Sequence, residues 1–119
     1  MKKVLILVIL IMLAAAPSRA AFVEGLEDIP LPDGLTQVEN GNLSFGNEEI
    51  RLIEAYLTST KLSFENICHF YKETLPQLGW QIKKQSGNKI IFEREGENLE
   101  ISKESPKPLV IRLTVKSKI

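Results

Sequence analysis

Between Leu109 and Val115 the chain sets an apolar branched residue at every second position: Leu109, Ile111, Leu113 and Val115. Arg112, Thr114 and Lys116 fall between and after them. Side chains of an extended strand point alternately to opposite faces, so this segment hides one face and wets the other. A helix cannot bury that pattern, because its apolar stripe returns every three to four residues. The same period recurs upstream. Ile53, Ala55 and Leu57 oppose Glu54, Tyr56 and Thr58; Trp80 pairs with Ile82, Ile90 with Phe92, and Leu99 with Ile101. Turn chemistry separates these runs at Asn40-Gly41, Gly46-Asn47, Ser86-Gly87-Asn88 and Gly96. Half-wet strands joined by short turns imply an antiparallel sheet.

One stretch has the other period. Phe64, Ile67, Cys68, Tyr71, Leu75 and Leu78 recur at spacings of three and four, which predicts one amphipathic helix. Ser63 is a good N-cap, and Leu62 and Ile67 stand at the hydrophobic-staple positions. Pro76 cannot donate to the carbonyl of Lys72, so the helix should kink or end near Leu75. Gly79 suits the left-handed geometry that closes a helix, and Trp80 opens the next strand. The expected fold is α+β: one amphipathic helix on one face of an antiparallel sheet of five to six strands.

The ends of the chain divide it further. Lys2 and Lys3, the thirteen-residue apolar run Val4 to Ala16, and Ser18-Arg19-Ala20 have the three-part layout of a secretory signal peptide. The run is shorter than the roughly 20 residues a membrane-spanning helix needs. Residues 1–20 are therefore expected to be cleaved, after Ala20, from an exported, periplasmic or secreted product with no transmembrane segment left. Retention as an uncleaved anchor is the other reading. Residues 21–34, with Pro30, Pro32 and Gly34, read as an extended proline-containing arm, and residues 35–119 as a single α+β domain.

Loss of Lys2, Lys3 and Arg19 would leave 12 bases against 15 acids. That balance offers no sequence-independent grip on nucleic acid. Residues 21–54 hold eight acids against Arg51 alone, and residues 103–119 hold five bases against Glu104. The asymmetry could steer an acidic partner or a lipid headgroup to the C-terminal strand, or simply keep both faces solvated.

Little in the chain has the spacing of a catalytic or metal site. Cys68 is the sole cysteine and excludes an internal disulfide; its place in the apolar stripe reads as a small buried hydrophobe. His69 adjoins it, yet consecutive helix residues diverge by about 100°, so the two do not form a nucleophile–base pair. Glu65, His69 and Glu73 are four apart and can project together, as metal ligands or an acid–base pair would need, or as ordinary filler of an exposed helix face. No phosphate-cradling glycine loop or nucleophile elbow occurs. Neither a catalytic residue, a metal site nor a cofactor is assigned, and the chain reads as a non-enzyme.

Asp28-Ile29-Pro30-Leu31, then Phe70-Tyr71 with Leu75-Pro76 and Leu78-Gly79-Trp80, then Phe92 with Arg94-Glu95-Gly96-Glu97, Leu99 and Ile101 form a pattern spanning most of the mature chain. It resembles small uncharacterised exported proteins of Gram-negative bacteria. More loosely, the strand–helix–strands order is similar to the helix-grip domains of an outer-membrane assembly lipoprotein, from which this chain departs by lacking a lipid-attachment cysteine. The expected function is a non-enzymatic cell-envelope module that binds a protein partner through a sheet edge or the arm. The alternative is a carrier or sensor holding a lipid or other apolar ligand between helix and sheet, lined by Trp80, Phe92 and Tyr71.

Overall fold

The structure is a computed structural model that describes residues 21–39 and 41–118. The expected signal segment and Asn40 of the Asn40-Gly41 turn lie outside the described residues. Among the described residues, nine strands, one α-helix and a 3₁₀ turn follow in order: β1 Ala21–Val23, β2 Leu26–Leu31, β3 Thr36–Gln37, β4 Leu43–Gly46, β5 Ile50–Ser59, α1 Phe64–Thr74, the 3₁₀ turn Leu75–Leu78, β6 Gln81–Ser86, β7 Lys89–Arg94, β8 Glu97–Pro106 and β9 Leu109–Lys118. The class is α+β, as expected, with a larger sheet: seven strands in the main sheet and two in a separate hairpin.

Across the main sheet the order is β3-β5-β9-β8-β7-β6, and β4 also pairs with β5. Every pairing is antiparallel. β9 runs beside β5 over ten residues, which puts Ile53, Ala55 and Leu57 opposite Val115, Leu113 and Ile111 on one face. β8 and β7 extend that face with Leu99, Ile101, Ile90 and Phe92, all fully buried. The period-two reading of these strands thus locates the core. β6 is the exception: all six of its residues are exposed, and its ladder with β7 slips between Ile82 and Lys84. Ile82 shares a face with Phe92, but it lies at the sheet margin, and half of it stays exposed.

Helix α1 begins as the local chemistry dictates. The Ser63 hydroxyl accepts from the Asn66 amide, and the Asn66 side chain accepts from the Ser63 amide, a reciprocal cap. Phe64, Ile67, Cys68 and Tyr71 face inward and are buried. Pro76 does not stop the chain abruptly. It sits in the first turn of the 3₁₀ segment, where an amide donor is not needed. Gly79 closes that segment at φ +92°, a region other residues adopt only at a cost.

Residues 21–34 do not behave as an arm. β1 and β2 form a hairpin, and Val23, Leu26 and Ile29 enter the same core as the helix and sheet. The prolines mislead because Pro30 and Pro32 keep the backbone extended without showing whether it is covered. The hairpin lies beside α1, where the buried Tyr71 hydroxyl donates to the Pro30 carbonyl at 2.7 Å. Pro32 to Leu35 then makes the expected turn. None of the described helices is long and apolar enough to cross a membrane.

Burial pushes the Tyr71 phenol well above its ordinary pKa of about 10 and raises the Cys68 thiol as well. Above their ordinary values the unfolded chain loses these protons while the native state keeps them, so stability falls as pH rises. Chemical unfolding should therefore give a flat stability up to about pH 8 and a decline above it. Tyr71→Phe should cost about 1 kcal/mol near neutrality, for the lost hydrogen bond, and flatten the decline above about pH 10. An unchanged alkaline slope in that variant would remove Tyr71 as its source.

Candidate interaction surface

The residues between the end of the helix and Trp80 converge on one side chain. The Arg94 guanidinium lies 4.2 Å from the centre of the Trp80 ring, bonds Glu97 at 2.8 Å and Asp28 of the hairpin, and donates to the Leu78 carbonyl at 3.1 Å. Gly79 leaves room for it; a Cβ there would come within 3.3 Å of Arg94 Cδ. Arg94 ends β7 opposite Glu97, beside the two-residue β7–β8 turn, where Glu95 and Gly96 both have positive φ, as tight hairpin turns require. Four elements are thus tied at one point: hairpin, 3₁₀ turn, β6 entrance and β7–β8 turn. This is a structural joint.

The candidate ligand-lining residues are deep in the packing. Tyr71 and Phe92 are fully buried and Trp80 is 1% exposed. Trp80 alone of the three borders a surface depression, a cleft of about 260 Å³ beneath the hairpin shared with Ile53, Val115 and Glu97. Its indole N–H is buried without an acceptor among the described residues.

Cys68 is 4% exposed; its raised pKa disfavours the nucleophilic thiolate. His69 projects to solvent and meets Glu73 one turn on at 2.8 Å, a neighbour contact of an exposed helix face. Among the described residues no three His, Cys, Asp or Glu side chains gather as metal ligands would.

The two margins of the main sheet differ in kind. At the β6 margin, Lys83 and Lys84 and the slipped ladder blunt the edge against further pairing. At the other margin, β3 and β4 lie end to end along β5, opposite β9. β4 reads Leu-Ser-Phe-Gly and carries no charge. Leu43 is 48% and Phe45 56% exposed, both on the outer face away from the helix, in register with Glu54 and Leu52.

The hydrogen-bond phase of β4 follows from its turn. The Asn47 amide donates to the Ile50 carbonyl at 2.9 Å, and bonded pairs alternate along an antiparallel ladder. Phe45 and Leu43 therefore bond β5, while the Ser44 amide and carbonyl point outward. The sequence marks the Gly46-Asn47 turn that ends this segment but not a margin, because pairing order is not written in local periodicity.

An open groove of about 710 Å³ continues from the N-terminal end of β4, lined by Glu24, Gln37, Glu39 and Asn42 among others. Gln37 and Asn42 fix its wall by bonding the Glu24 backbone at 2.7 to 2.9 Å. The Glu24 and Glu39 carboxylates meet no cation among the described residues.

The chain matches no family model, and no curated protein or solved structure shows significant similarity to it.

Proposed function

We propose that the chain is an exported, non-enzymatic module of the cell envelope that binds a protein partner along the β4 margin of its sheet. The observation that carries this reading is the contrast between the two margins. β6 bears the lysines and slipped ladder that discourage strand addition, whereas β4 offers outward backbone groups next to two exposed hydrophobes. The structural role of the Trp80–Arg94 joint supports the same reading by accounting for the aromatic cluster without a ligand. The carrier alternative finds little support in the burial of Tyr71, Trp80 and Phe92 among the core side chains, since a ligand between helix and sheet would have to part them.

A photo-crosslinking residue placed at position 45, and separately at position 84, tests the proposal in envelope extract. Adducts are expected at 45 and not at 84, and they should vanish when Ser44→Pro removes an outward donor without touching the bonds to β5. Equal adducts at both positions, or adducts indifferent to Ser44→Pro, would overturn the reading.

A further inference from the structure

We infer that the partner of the β4 margin is an extended segment with apolar residues at its centre and Lys or Arg on both flanks. The inference rests on the strand-addition reading above and specifies its chemistry. β4 is four residues long, about 13 Å of strand, so a paired segment sets only one or two of its side chains over Leu43 and Phe45. Beyond each end of that short apolar stretch the surface is acidic. Glu24 and Glu39 line the groove at the N-terminal end; Glu48 and Glu49 follow at the C-terminal end, both exposed.

No base intervenes from Thr36 to Ile50. Arg51 belongs to the opposite face of β5, in register with Ser117 and bordering the cleft beneath the hairpin. Lys116 and Lys118 stand on the outer face but in β9, two strands in from the margin. A docked strand would therefore find uncompensated carboxylates at both ends and a hydrophobic contact between them. Complementary charge at such a rim governs the encounter rate and the choice of partner.

The same pattern disfavours a second copy of the chain pairing β4 with β4. An antiparallel arrangement would bring the groove carboxylates of one copy toward Glu48 and Glu49 of the other, and like charges in register are destabilising.

A fluorescein-labelled peptide of alternating valine and threonine flanked by lysines, and its twin flanked by glutamates, would test this by anisotropy on the full mature chain. The lysine peptide is expected to bind, to weaken as salt rises, and to lose roughly three- to tenfold in affinity in the Glu24→Gln/Glu39→Gln variant. Glu48→Gln/Glu49→Gln should produce a loss of the same order. Equal binding of both peptides, abolished by Ser44→Pro, would overturn the charge inference and leave strand addition standing. Failure of the lysine peptide to bind would also overturn the inference, whereas the crosslinking at position 45 judges strand addition separately. A concentration-dependent dimer that Ser44→Pro disperses would assign the margin to a second copy and overturn the inference as well.

Discussion

A chain that starts at Pro32 is expected to lose cooperative folding. Removing residues 21–31 takes Val23, Leu26 and Ile29 out of the core, and each such side chain contributes about 1.5–3 kcal/mol when fully buried. Together they approach the whole stability of an ordinary small domain, about 5–15 kcal/mol. The deletion also strips the Tyr71 hydroxyl of its acceptor and Arg94 of Asp28. Urea unfolding followed by Trp80 fluorescence would decide the matter. A truncated chain with the midpoint of the intact one would return the segment to the status of an appendage.

Trp80→Ala should be nearly as severe, at about 3–5 kcal/mol, the usual cost of truncating a buried large aromatic. Arg94→Met should lose partly exposed ion-pair contacts to Asp28 and Glu97 worth about 0.2–1 kcal/mol each. The two changes should not add. Their side chains are stacked, and a double-mutant cycle should return a coupling of about 0.5–2 kcal/mol. Circular dichroism is the suitable readout, because the first variant removes the only tryptophan. If Trp80 served to stack a ligand, its loss would leave the melting temperature almost unmoved.

Much of this architecture is written in local pattern. The alternation at 109–115 and 53–57 identifies core faces that the structure keeps, and Ser63, Pro76 and Gly79 mark the limits of the helix for the reasons their chemistry supplies. What local pattern leaves out is neighbourhood. Val23 and Ile29 are ordinary apolar residues among acids and prolines, and only the uncovered ground beside α1 makes them core. Arg94 looks like one charge in a polar hairpin tip, yet it reaches residues 66 positions upstream. Asn40-Gly41 suggests a hairpin by composition. β3 and β4 on its two sides instead pair with the same strand, β5, rather than with each other. The candidate surface was hidden for the same reason, since a margin exists only by virtue of which strand is not beside it.

The position of β9 between β5 and β8 has a kinetic consequence. Within the main sheet, β5 and the β6–β8 meander are hydrogen-bonded only through residues 109–118, with partners as distant as Ile50. As such a chain emerges in sequence, β5 cannot join the β6–β8 meander in one sheet until β9 is out. Loop-closure entropy accumulates before those distant contacts reward it, which puts folding on a slow, millisecond-to-second footing. The main sheet therefore stays in two parts until β9 is available.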